Sequence, residues 1–452
     1  MISTARWPIF VLLLLSICPV PPTLAAETRA MTCDLPTCIA LATAHHPRLK
    51  ASEARQSAAR SELSVRQAQR RPVLDLEGET GYLEGKAITP FSALSGVTEE
   101  GIEQRRVSGG YYQANVGLEV PLIKEGALVG QVPSSVRQAQ LRISEEDWDH
   151  RLARLQVALK VVEAYVQVLQ HRKAIQSAEA IMAALEEGYQ LAQVRFQQNL
   201  ISRNALLVAE VRLATARREL AHYRLALQKS QRALSSSMGL DTAEAIEIQE
   251  LQDAPAPLPP LATLLALAQH THPELKAQQF KVEGSVAEVD RIRSERYPTL
   301  SLTARYGFVD AYEGSPNAQW LAAMNVKVPL FDFGLIRKKA EVARAKVIEE
   351  EQQRLNFQLN IEQEIHERYL QLQELTDDVQ LLTTQIEQAT EEMKLNRAMF
   401  QQELAPQAAV LDAETALFKL QLALMQARYE QKLRRLQLSL ISGEWALPAS
   451  SR

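Results

Sequence analysis

The chain has 452 residues, with 50 Lys and Arg against 54 Asp and Glu and a formal net charge of −4. That near-neutral balance argues against nucleic acid as the main partner. Aromatics make up 6% and glycines number only 17, which suits long helices rather than an all-β domain.

After Arg6, the run WPIFVLLLLSICPVPPTLAAET carries an apolar stretch closed by Pro19, Pro21 and Pro22 and a small-residue site at Ala25–Ala26. It is too short to span a bilayer and has the order of a secretory signal, so residues 1–26 are expected to be removed on export. Cys18 raises a lipoprotein signal as an alternative, against which the bulky Ile17 weighs. No later stretch holds 18 consecutive apolar residues, so no transmembrane helix is expected. Cys33 and Cys38, in CDLPTC, are expected to form a small disulfide in an oxidising compartment; no further Cys or His follows at a zinc-ligand spacing.

From there the chain reads as two copies of one plan, residues 27–240 and 261–443, joined by a linker over 241–260 and followed by a tail from 444. HHPRLKA at His45 answers THPELKA at Thr271 at an offset of 226, which also pairs Pro72 with Pro298 and Gly81 with Gly307. VPLIKEG at Val120 answers VPLFDFG at Val328 at an offset of 208, and RFQQNL at Arg195 answers MFQQEL at Met399 at 204. Each half predicts a helix (37–69; 261–295), two strands (72–85 and 109–121; 298–310 and 318–330) and two long helices (136–198 and 204–238; 336–402 and 407–442). The falling offset places extra residues in the first half: an insertion between its strands, AITPFSALSGVTEEGIEQ, and four more in the helix that follows.

The strands alternate with period two. Leu74, Leu76, Thr80 and Tyr82 fall on one face, with Asp75, Glu77 and Glu79 on the other; Val116, Leu118 and Val120 alternate with Asn115 and Glu119. Leu302, Ala304, Tyr306 and Phe308 oppose Thr303 and Arg305, and Met324, Val326 and Val328 oppose Asn325 and Lys327. Apolar outside and charged inside is the pattern of a transmembrane β-barrel, whose lumen Asp75, Glu77, Glu79, Glu119, Arg305 and Lys327 would line. A merely solvated face is the alternative. Four strands cannot close a barrel and open edges are not tolerated in lipid, so several copies are required. Two copies give eight strands, with an interior filled by side chains; three give twelve and room for a passage.

The long helices run over 60 residues without proline, far beyond an ordinary globular helix. Leu155, Leu159, Val162, Val166 and Leu169, then Ala178, Met182, Leu185, Tyr189, Ala192 and Phe196, follow a 4-3 spacing, and Leu382, Ile386, Ala389, Met393 and Phe400 repeat it. That register predicts coiled-coil packing. The returning helices are shorter, and stacking them end to end on the helices before each strand pair would equalise the lengths.

The duplicated VPLIKEG and VPLFDFG, HPRLKA and HPELKA, and RFQQNLISRNALLVAE and MFQQELAPQAAVLDAE resemble the TolC-type outer-membrane efflux protein family over essentially the whole exported chain. The resemblance implies a homotrimer: a twelve-stranded barrel in outer-membrane lipid and a helical tunnel across the periplasm, docked on a periplasmic adaptor protein and an inner-membrane pump. It places Pro121, Gly126, Pro329 and Gly334 where strands turn into helices. It also implies a constriction at the helix turns, so that Arg195, Gln198, Asn199, Arg203, Arg397, Gln402 and Glu403 are candidates for gate or adaptor contacts, against a plain solvated tip. Asn199 and Glu403 stand where that family usually has Gly.

No nucleophile elbow, phosphate loop or HExxH occurs, so neither catalysis nor a cofactor is expected. The histidines His45, His46, His270 and His272 suggest a metal, but duplicated His-Pro at helix starts reads better as helix punctuation. A soluble periplasmic coiled-coil adaptor is the alternative class; it should carry a compact β domain between its arms.

Overall fold

The computed structural model describes residues 31–86, 106–128, 132–240, 246–251, 258–311, 317–402 and 404–444. The expected export signal with Cys18, the inter-strand insertion, parts of the linker, Glu403 and the tail from 445 lie outside the described residues. The first copy of the plan comprises β1 (Met31–Cys33), α1 (Leu35–His45), α2 (Pro47–Ala68), β2 (Val73–Lys86), β3 (Arg106–Lys124), β4 (Ala127–Leu128), α3 (Ser134–Gln197) and α4 (Arg203–Met238). After β5 (Ile246–Ile248), the second comprises α5 (Leu261–Thr271), α6 (Pro273–Ser294), β6 (Thr299–Ala311), β7 (Asn317–Lys327), α7 (Leu335–Gln401) and α8 (Gln407–Ser442).

The segments expected to be helical over 37–69 and 261–295 are each two helices, divided at the His-Pro pairs. His46 and His272 leave the helical region, with ψ of 126° and 123°, and Pro47 and Pro273 open the next helix. The residue before a proline is pushed out of the α region, and proline is well suited to a first helical position. His46 also caps α2, its Nδ1 accepting from the Arg48 amide at 3.1 Å.

The two continuous helices have 64 and 67 residues, each about 100 Å long at the usual helical rise. α3 packs along both α4 and α2, and α7 along both α8 and α6, so each continuous helix has a two-piece column beside it. The heptad positions are the packed ones: Leu155, Val162, Val166 and Leu169 are buried, and Leu159 packs against the same cluster. Towards the far end of α3 burial thins to Ala178 and Ala192.

That main core gathers where α1, α3, α4 and α8 meet. It includes a feature with no sequence expectation, the parallel pairing of β1 with β5. The buried Tyr165 hydroxyl of α3 donates to Gln249 O at 2.6 Å and lies 3.3 Å from Cys33 O, tying both strands to the long helix. Cys33 and Cys38 are buried in this cluster as free thiols, so the expected disulfide is not formed in the structure. Burial pushes the Cys38 thiol up to about 12, far from the thiolate that would attack or bind metal.

The four long strands form one antiparallel sheet in the order β2-β3-β6-β7. β3 runs past Pro121, which pairs with Ser301, and the register shifts between Pro121 and Ile123. Pro121 thus marks a bulge inside the strand rather than its end. β7 stops at Lys327, two residues before Pro329. The four extra residues of the first half also lie elsewhere than expected. Seven residues lie between Gly126 and Ser134, where β4 folds back on β3, against none between Gly334 and Leu335, and α3 is three residues shorter than α7, which leaves the net four.

Candidate functional site

The register sorts the sheet into two faces. On one, Leu76, Val116, Tyr306 and Trp320 are consecutive cross-strand neighbours, and Leu74, Leu118, Ala304 and Ala322 form the next row. This apolar face is open: Leu76 and Trp320 are each 77% exposed, and Tyr82, Phe308, Met324 and Val326 are exposed as well. A continuous apolar surface of this extent, left uncovered, marks a lipid or protein contact.

Asp75, Glu77, Glu79, Glu119, Arg305 and Lys327 all fall on the other face. Gln113 donates to Glu79 at 2.7 Å, and Asn325 to the Thr303 hydroxyl at 2.8 Å. Charge is divided along it: β2 and β3 carry the four carboxylates, β6 and β7 the two cations. Two glycines make room for polar neighbours. A Cβ on Gly117 would sit 2.2 Å from Asp75 Oδ1, and one on Gly307 1.9 Å from Asn115 Oδ1 and 2.5 Å from Ala114 O. Asn115 is buried as a result, with Gly307 beside it.

The repeated VPLxxxG phrase resolves into one backbone device. Glu125 and Gly126, and Phe333 and Gly334, are consecutive residues with positive φ, at 55° and 71° and at 52° and 82°. In the first copy the pair closes the two-residue β3–β4 hairpin, where both central residues require positive φ. In the second it starts α7, with the Asp332 carboxylate accepting from the Gly334 and Ile336 amides at 3.0 and 2.8 Å. Gly126 is also packed under Tyr297, whose ring lies 2.7 Å from where a Cβ would be.

At the opposite end, each hairpin turns through the same hydrogen bond, Leu200 N to Arg195 O and Leu404 N to Met399 O, both 2.8 Å. Asn199 takes the left-handed conformation, φ 60°, as suits an Asn in a position that usually needs Gly. Gln198, Asn199, Arg203 and Gln402 are exposed at these turns. The two arginines act differently. Arg195 reaches from α3 to the other hairpin, its guanidinium 5.0 Å from the Phe400 ring centroid. Arg397 stays within its own hairpin, donating through Nε and Nη2 to Glu414 Oε1 at 3.0 and 2.6 Å. A second link between hairpins was missed by sequence reasoning: Arg212 of α4 donates to Asp412 of α8 at 2.5 Å. The two are about 200 residues apart and bear no motif; the signal available was that 412 falls four residues from the repeat equivalent of 212.

Among the described residues no helix is long and apolar enough to cross a membrane, and no cluster of three or more potential metal ligands occurs. His46 and His272 stand at the helix joints, and His46 alone of the two caps the following helix through its side chain.

A long helical hairpin pair carrying a four-stranded sheet with one apolar and one charged face defines an outer-membrane channel fold. The model of the outer membrane efflux protein family matches residues 38–240 and 264–444, one copy per repeat, and the chain belongs to that family. The chain is 26% identical over 325 residues to Protein CyaE of Bordetella pertussis, covering 69% of this chain and 63% of that one. It is 25% identical over 185 residues to the multidrug resistance outer membrane protein MdtP of Escherichia coli O157:H7, covering 39% and 37%. It therefore spans less than two thirds of these relatives. The Campylobacter jejuni CmeC outer membrane channel superimposes with a TM-score of 0.76 at 15% identity, over 90% of this chain and 85% of that one. The protein is an outer-membrane protein with a periplasmic helical extension.

Proposed function

We propose that the protein is the outer-membrane conduit of a tripartite export system: a passive channel that docks on a periplasmic adaptor and an inner-membrane pump. Three copies each contribute four strands, β7 of one pairing with β2 of the next, to a twelve-stranded barrel. The apolar face meets lipid. Asp75, Glu77, Glu79, Glu119, Arg305 and Lys327 line the lumen.

The observation that supports this best is the sheet itself. β2 and β7 stand at its two ends, and an unpaired strand edge is not tolerated in hydrocarbon. A chain with this exposed apolar face must close its sheet with further copies. The outer side of α7 agrees: Val342, Leu359, Leu381 and Leu395 are exposed along it, an apolar stripe that a neighbouring copy would cover. At the far end, Arg195 on Phe400 and Arg397 on Glu414 hold the helix tips together, and the exposed turn residues beside them offer the adaptor its contact. No step in this reading is chemical; energy comes from the pump.

The reading is tested by the mass of the detergent-purified protein, measured by light scattering with the detergent contribution removed. A trimer is expected. A stable monomer overturns the shared barrel.

A further inference from the structure

Between β7 and α7 the chain holds large apolar side chains in the open. Leu330 is 91% exposed and Phe333 90%, and the Phe331 and Phe333 rings stand edge to face at 4.5 Å. Beside them a cavity of about 550 Å³ opens between the end of α6 and the start of α7. Arg293 and Arg296 line it from the α6 side, Arg337 and Arg344 from α7, and Leu330 and Phe331 form its apolar wall. Its two carboxylates are already engaged: Asp332 accepts from the Gly334 and Ile336 amides, and Glu341 from Arg337 and Lys338 at 3.2 and 2.7 Å. Arg337 is thereby paired with Glu341, and Arg293 lies 3.7 Å from Asp290, so the positive charge that the cavity offers is that of Arg296 and Arg344.

The first repeat shows what such a place can hold. At the offset of 226 residues, Arg70 is the counterpart of Arg296. Arg70 Nη2 donates to Leu128 O at 2.7 Å and Ala127 O at 3.2 Å. Those oxygens belong to β4, the segment that only the first repeat possesses; in the second, Gly334 leads straight into α7. The first repeat fills the place beside its arginine with its own carbonyl oxygens, and the second leaves it open.

We infer that the second-repeat cavity binds the phosphate of an anionic phospholipid from the membrane leaflet facing the periplasm, with Leu330 and Phe331 against the start of its acyl chains. The junction of sheet and helices lies at that leaflet's surface when the apolar face of the sheet is in the outer membrane. The guanidinium fork matches phosphate oxygens in pairs. The surplus of positive charge favours a headgroup without an ammonium, so phosphatidylglycerol binds better than phosphatidylethanolamine.

Native mass spectrometry of the purified full chain, titrated with each of these two lipids at matched acyl chains, tests the inference. Phosphatidylglycerol is expected to bind roughly thirtyfold more tightly, the scale of two near-surface arginines. The preference disappears in the Arg296→Gln, Arg344→Gln double variant and survives in Arg218→Gln, an exposed change on α4. Equal binding of the two lipids by the unaltered protein, or a preference that persists in the double variant, overturns it. The same spectra report the oligomer, so loss of the trimer is read separately from loss of the lipid. A Phe331→Trp change in a background with Trp148, Trp320 and Trp445 replaced by Phe is expected to be quenched by lipids brominated near the headgroup. Absence of quenching, as when another copy of the chain covers the groove, overturns the inference too.

Discussion

Gly239, the left-handed residue that ends α4, lies against the backbone of His46 at the start of α2: a Cβ on Gly239 would come within 2.8 Å of His46 Cα. This contact makes a single column from α4, of 36 residues, and α2, of 22. In the second repeat Gly443 meets Thr271 in the same way, joining α8 to α6, though there the nearest atom is the Thr271 Oγ1 at 2.5 Å. The end-to-end stacking expected from lengths alone is thus achieved at two glycines and two His-Pro joints.

Substitution at these joints should discriminate between them. Gly239→Ala is expected to destabilise the protein by about 1–3 kcal/mol, from the positive φ and a clash with backbone that cannot move aside. Gly443→Ala should cost less, because the Thr271 side chain can rotate. Gly284, inside α6 with nothing within 4 Å of its Cβ position, should gain about 0.5–1 kcal/mol on replacement by Ala. Thermal unfolding of the three variants in one detergent ranks them.

The charged face of the sheet, at Gly307, offers a similar contrast with the apolar face, at Gly78. Gly307→Ala should prevent accumulation of the assembled protein in the outer membrane, because the new methyl meets Ala114 O and Asn115 Cα on the neighbouring strand, at 2.5 and 2.8 Å. Gly78→Ala, whose nearest neighbour is Gln113 O at 4.0 Å, should assemble normally. Heat-modifiable mobility of membrane extracts on gels reads both.

Replacing Asp75, Glu77 and Glu79 by Asn, Gln and Gln removes three of the four carboxylates placed on that face. In a closed barrel the cation preference should fall towards none, measured as the reversal potential across a salt gradient. A preference that stays unchanged would mean these side chains do not line the path.

His272 predicts a pH effect on stability. It is 5% exposed, its Nδ1 has no hydrogen-bond partner among the described residues, and burial lowers its pKa from 6.5 to about 4 despite the nearby Glu364. Between pH 6.5 and about 4 the unfolded chain takes up a proton that the folded chain does not, so stability falls as pH falls through that window. The contribution is on the order of 1–3 kcal/mol. Urea midpoints at pH 7 and 4.5 should converge in His272→Gln relative to the unaltered protein.

The sequence was most informative where burial is periodic. Leu155 to Leu169 keep a heptad register within the most deeply buried part of α3, where Val157, Val161, Tyr165 and Val168 are buried as well, and Leu74 to Tyr82 alternate because β2 has two different faces. The duplicated phrases added the pairing of elements between halves. Three-residue β1 and β5 are too short for any period, so their pairing under Tyr165 could not be read. The positive φ of Glu125 and Phe333 was equally hidden, since neither residue type favours it; only the glycine that follows each one hinted at the turn. The Cys33–Cys38 expectation came from the compartment and the spacing, whereas the structure holds both as buried thiols. The Arg212–Asp412 link joins residues that only the fold brings together.

The central claim is a passage closed at the helix tips. Single-channel conductance of the purified protein in planar bilayers tests it most directly, with Arg195→Ala and Arg397→Ala combined in one variant. Discrete cation-favouring openings are expected from the unaltered protein, and a several-fold larger conductance once the contacts to Phe400 and Glu414 are lost. A protein that never inserts contradicts the shared barrel. Openings that the double variant leaves unchanged contradict a constriction held by these two arginines.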